Sequence, residues 1–187
     1  MSRYPRAGHR TRAGAIAVPV LMLFLCGCGV ANTTGLTPDA PSTMTVTSAA
    51  FTGGVLPQHF TCHGSGASPP LDWSGSPAGT KSYAIVVDDS AAPITPYIYW
   101  IVFNIPQATT DLQAAQLPPG AEVANNSLGQ ASYDPPCPDK PGHSYRFTVY
   151  ALSSTLNLSK GASTLEAWQA IANAAIARGR VAVKANP

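Results

Sequence analysis

Ser82-Tyr83-Ala84-Ile85-Val86-Val87 and, a few residues on, Tyr97-Ile98-Tyr99-Trp100-Ile101-Val102-Phe103-Asn104-Ile105 are the stretches whose reading decides the fold. Both are rich in β-branched and aromatic residues, which suit a pleated surface better than a helix. The first runs into Asp88-Asp89, and the second stops at Pro106, which has no N–H to give a ladder. Their near-continuous apolar character predicts central strands buried on both faces. Asp88 and Asp89 are adjacent, so an extended chain turns them to opposite faces. The expectation is one solvated carboxylate and one in a pocket.

Outward from these runs, Ser144 to Leu152 alternates as a strand, and Arg180-Val181-Ala182-Val183 reads as a short closing strand. Between them, Ser163-x-x-Glu166 forms a capping-box pattern, and Leu165, Trp168, Ile171, Ala172, Ala175 and Ile176 recur at helical spacing. Gly179 is read as the stop of that helix. Charged residues make up only 11% of the 187, whereas 18 Pro and 16 Gly are plentiful. That balance favours a loop-rich, mainly β fold with one late helix over a helical bundle.

The net charge of +2 belongs to the N-terminus. Arg3, Arg6, Arg10 and Arg12 precede a thirteen-residue apolar stretch, Ala13 to Leu25. Roughly 20 apolar residues are needed to span a bilayer, so this is the pattern of a secretory leader rather than a lasting span. It closes on Leu25-Cys26-Gly27-Cys28, which resembles the bacterial lipobox. Residues 1–27 are therefore expected to be cleaved, leaving Cys28 lipidated and the chain held to the extracytoplasmic face of a bacterial cell membrane. Two or three acyl chains anchor stably where one does not. Residues 28–48 read as a tether poor in large apolar residues, with a first strand starting near Met44, and 49–187 as the folded domain. From Cys28 onward seven Lys+Arg face nine Asp+Glu, so the mature part carries 7 − 9 = −2. A weakly acidic domain without a basic cluster excludes a nucleic-acid partner.

Cys62 and Cys137 remain as an even pair in an oxidising compartment, which favours a disulfide between them. The rival is a metal site of Cys62 with His59 or His63, for which the sequence offers only the distant His143 as a further ligand. No metal and no cofactor is expected.

Phe60-Thr61-Cys62-His63-Gly64 with Ser68-Pro69-Pro70-Leu71-Asp72-Trp73 resembles the opening of the phosphatidylethanolamine-binding protein family, in its bacterial Raf-kinase-inhibitor-like branch. Further matches follow in order: Gly79-Thr80-Lys81-Ser82-Tyr83-Ala84, Asp89-Ser90-Ala91-Ala92-Pro93, Tyr97-Ile98-Tyr99-Trp100, Val102-Phe103-Asn104-Ile105-Pro106, Pro135-Pro136-Cys137-Pro138 and Gly142-His143-Ser144-Tyr145-Arg146-Phe147. The resemblance implies an antiparallel β-sandwich with a pocket for phosphate, acetate or a phosphorylated head group. It implies Asp89, Tyr99, Pro135, Pro136, His143 and Tyr145 as the lining. Three positions depart from the family pattern: Ala91 replaces an Asp, Tyr99 a His and Pro135 a Gly. Tyr99 offers a neutral hydroxyl where the family has a group able to become cationic. Pro135 lacks the flexible backbone N–H of glycine.

The leading expectation is a tethered, non-catalytic binding module for a small anionic or phosphate-bearing ligand. A protein-interaction module inhibiting a kinase or protease is the alternative. A hydrolase is third: Ser65 and Ser68 lie near His63, but no G-x-S-x-G elbow is present.

Overall fold

The computed structural model describes Met1 and residues 38–89, 96–139 and 142–184. The leader, Cys28 and Ala91 lie outside the described residues. Described residues from 38 onward belong to the unit Thr33–Pro187.

Among the described residues, eight strands and one α-helix follow in the order β1 (Thr45–Thr47), β2 (Leu71–Ser74), β3 (Ser82–Asp89), β4 (Tyr97–Pro106), β5 (Asp111–Leu112), β6 (Glu122–Ala124), β7 (Ser144–Leu152), α1 (Thr164–Ala174) and β8 (Ala175–Lys184). Short 3-10 turns occupy Thr52–Gly54 and Gln58–Phe60. The strands form two antiparallel sheets, of order β1-β2-β5 and β6-β4-β3-β7-β8. The mainly β sandwich with one late helix is thus as expected.

Strand β3 is central, and all eight of its residues are buried. Its two faces feed separate cores. Tyr83, Ile85 and Val87 pack with Trp100, Val102, Phe147 and Val149 against Leu71, Trp73 and Leu112 of the small sheet. Ala84 and Val86 pack with Ile101, Phe103, Tyr150 and Leu152 against Ala167, Ile171 and Ala174 of α1. That double burial is why alternation is missing from the sequence of β3 and β4.

Four expectations need correction. The helix begins at the capping box, where Ser163 and Glu166 bond reciprocally, but it ends at Ala174. Ala175 and Ile176 belong to β8, because pairing of Ala175 with Leu152 of β7 outweighs local helix propensity. Gly179 is accordingly no helix stop: it lies inside β8, where a Cβ would sit 2.6 Å from the Met44 carbonyl oxygen. The folded part also starts earlier than residue 49. Ala40 and Met44 are buried, and β1, the strand expected near Met44, pairs with β2 ahead of that boundary. Last, Leu165 is 63% exposed rather than core, and borders a groove of about 430 Å³ beside Ile98 and Trp168.

Candidate functional site

The site grows from the end of β3. Asp89 pairs in register with Tyr97 of β4 and Tyr145 of β7, so these three residues share one row across the sheet. His143 lies two residues before Tyr145 and reaches the same face by strand alternation. Its Nδ1 donates to Asp89 Oδ2 at 2.5 Å, and its ring lies parallel to that of Tyr145, centroids 6.2 Å apart. Asp89 is 3% exposed, whereas the imidazole is partly open to solvent. The buried carboxylate therefore fixes the imidazole through Nδ1 and leaves Nε2 without a partner among the described residues.

A β-bulge adds Tyr99. Val87 pairs with Trp100 and Asp88 with Ile98, so Tyr99 is the extra residue on β4. Bulges re-aim side chains. Tyr99 and Trp100 consequently both turn toward the inter-sheet face, while Ile98 joins the core under α1. The Tyr99 ring meets Tyr145 edge-on at 5.6 Å and Tyr97 at 4.7 Å.

Asp134 closes the row. Its N–H donates to the Tyr99 carbonyl at 2.9 Å, and its carboxylate accepts from the Tyr97 hydroxyl at 2.7 Å. Asp134 leads into Pro135–Pro138, a segment without regular structure. A disulfide between Cys62 and Cys137 and a bond from the Cys62 N–H to the Pro136 carbonyl, 3.0 Å, strap it to the loop after the second 3-10 turn.

The electrostatics favour hydroxyls that stay protonated. Burial, reinforced by the nearby Asp89, pushes the Tyr145 phenol up to about 12. Burial and the neighbours Tyr145 and Asp89 raise Tyr99 as well. Neither hydroxyl has a hydrogen-bond partner among the described residues, and neither is a sealed orphan, since Trp73 Nε1 is the buried side-chain atom left unpaired there. Two neutral O–H donors are thus available to an incoming acceptor, joined by the imidazole Nε2 only in the form that carries a proton on both ring nitrogens.

Asp89, Tyr99, His143 and Tyr145, spread over 57 positions of sequence, come together. Pro135 and Pro136 sit differently. A Cβ on Gly66 would lie 2.8 Å from Pro135 Cγ, so the Pro135 ring leans on that loop, while the Pro136 carbonyl is taken by Cys62. Their place is in the strap that carries Asp134. Two contributors were not singled out from the sequence, Tyr97 and Asp134. Tyr97 could have been found from its spacing of two from Tyr99, but nothing local marks Asp134. Asp88 departs from its expected solvated state: it is 2% exposed and takes both Nε and a terminal nitrogen of Arg146 on the opposite face.

The residues of the hydrolase reading do not assemble. Ser65 Oγ meets His59, at 3.2 Å from Nε2, while His63 pairs with Asp139 at 3.4 Å and Ser68 is buried. The metal alternative fails at Cys62, whose sulfur is in the disulfide.

Comparison with known proteins bears on the family and the fold. The family described as "Phosphatidylethanolamine-binding protein" matches residues 46–186. A Mycobacterium tuberculosis chain with the provisional lipoprotein name LppC is 38% identical over 192 residues, covering 92% of this chain and 94% of its own. A UPF0098 protein of Methanothermobacter thermautotrophicus is 39% identical over 123 residues, 63% of this chain and 82% of its own. The solved structure of E. coli YbcL, described as a new member of the mammalian PEBP family, superposes with a TM-score of 0.72 at 32% identity. It covers 78% of this chain and 99% of its own.

Proposed function

The chain belongs to the phosphatidylethanolamine-binding protein family, and from that membership and the geometry around His143 we propose a lipid-anchored, extracytoplasmic module that holds a small anionic or phosphate-bearing ligand without turning it over. The observation that carries the reading is the Asp89–His143 pair set beside two tyrosine hydroxyls that have no hydrogen-bond partner among the described residues. Asp89 orients the imidazole. In the form that carries a proton on both ring nitrogens His143 donates through Nε2, and Tyr99 and Tyr145 donate through O–H without repelling an anion. Charge-assisted hydrogen bonds of this kind are about twice as strong as neutral ones. The identity with a lipoprotein-named relative along nearly the full chain supports the membrane anchor on Cys28.

Calorimetric titration with inorganic phosphate and with phosphoethanolamine tests the site. Both are expected to bind, and His143→Ala to weaken binding by about tenfold or more, the loss of one charged hydrogen bond. Absence of binding at millimolar ligand, with His143→Ala indistinguishable from the native chain, refutes it.

A further inference from the structure

Strand β8 carries a stripe of positive charge that the anion site does not use. Arg178 and Arg180 lie opposite Tyr150 and Thr148 of β7, and Lys184 lies opposite Ser144. Alternate residues of a strand share a face, so Arg178, Arg180, Ala182 and Lys184 all look away from the inter-sheet core. Both arginines act on the Tyr150 phenol, and Arg180 Nε donates to Thr148 Oγ1 at 2.8 Å, which places them on the sheet face that also bears α1. Arg146 extends the stripe onto β7, where Asp88 neutralises it. Arg178, Arg180 and Lys184 form no ion pair among the described residues. Three of the seven basic residues of the mature part thus stand on alternate positions of one strand, in a domain whose balance is −2 (7 − 9).

The second observation is where the chain enters. Arg178 Nη1 donates to the Pro38 carbonyl at 3.3 Å, and the Arg178 N–H to the Pro41 carbonyl at 2.8 Å. The described fold therefore begins at the root of the stripe. The ten residues 28–37 can span at most about 35 Å.

We propose that this face of β8 lies against an anionic phospholipid bilayer, the membrane that holds the lipid on Cys28. The inference rests on the anchor reading above. A tether of at most about 35 Å keeps the domain near the head groups, and a cationic stripe without ion pairs among the described residues, beside residue 38 where the described fold begins, is the surface drawn to their negative potential. Docking in this way would orient the domain relative to the membrane.

The test uses the acylated chain on vesicles, with a nitroxide at Ala182→Cys in the stripe or at Gln113→Cys beyond the small sheet. On vesicles containing phosphatidylglycerol, the label at position 182 is expected to be shielded from a water-soluble relaxation agent severalfold more than that at 113. Shielding should vanish with Lys184→Glu and near 1 M salt, where the screening length is about 3 Å. The salt arm needs no substitution and so does not depend on a variant folding. Equal exposure of the two labels, or shielding unchanged on phosphatidylcholine alone, overturns the docking while leaving the anchor intact. Failure of the chain to float with phosphatidylcholine vesicles removes the anchor, and the docking with it.

Discussion

At the end of β3, Asp88 faces Arg146 across the core under α1, and Asp89 faces His143 across the inter-sheet face. The adjacency of the two acids announced opposite faces, but not that both would be buried; that required knowing that β7 supplies a cation on one side and an imidazole on the other. Breaking the first pair leaves a buried carboxylate uncompensated. Arg146→Met is expected to destabilise the domain by about 3 kcal/mol in urea unfolding, with little effect on anion binding. The tyrosines carry a second prediction. Tyr145 is held at about 12 against an ordinary 10.0. Tyr97, Tyr99, Tyr133 and Tyr150 are raised too, chiefly by burial. A folded-state pKa above the unfolded one means that the native state keeps its proton longer. The contribution is fully present below pH 10 and is lost as pH climbs toward 12. Stability should therefore fall across that window, and phenolate absorbance should rise early on unfolding in denaturant.

Among the elements, β3 and β4 were readable because a doubly buried strand leaves an unbroken apolar run, and the start of α1 because a capping box is local chemistry. The end of α1 was not readable. Ala175 and Ile176 continue the helical spacing, and only their pairing with β7 makes them strand. The bulge at Tyr99 was equally hidden, since a two-against-one register exists only between strands. Gly179 shows the same dependence. Its missing side chain lets Met44 cross β8 closely, with a Cβ position 2.6 Å from the Met44 oxygen and 2.8 Å from Val46 Cγ2. Gly179→Ala should cost about 1–3 kcal/mol by thermal unfolding, and amide exchange should show the residues around β1 loosening first.

At the scale of the whole molecule, one sheet keeps two kinds of chemistry apart. Its inner face ends in the Asp89, His143, Tyr99 and Tyr145 group, and its outer face carries α1 and the cations of β8. The Cys62–Cys137 bond ties the segment bearing Asp134 to the opposite loop, closing a chain separation of 75 residues. Spacing alone left a disulfide and a metal site open for Cys62. The ordered family motifs made the sandwich and most of the His143 group legible, because they mark positions on strands. The direction of the Pro135–Pro136 segment was not legible, because a loop's direction depends on what it leans upon, here Gly66 and Cys62. The most direct test is a crystal of the mature domain soaked in phosphate. Density for the anion is expected within hydrogen-bond reach of His143 Nε2 and the Tyr99 and Tyr145 hydroxyls, with Asp89 still holding Nδ1. An anion bound elsewhere, or those three donors left empty in saturating phosphate, contradicts it.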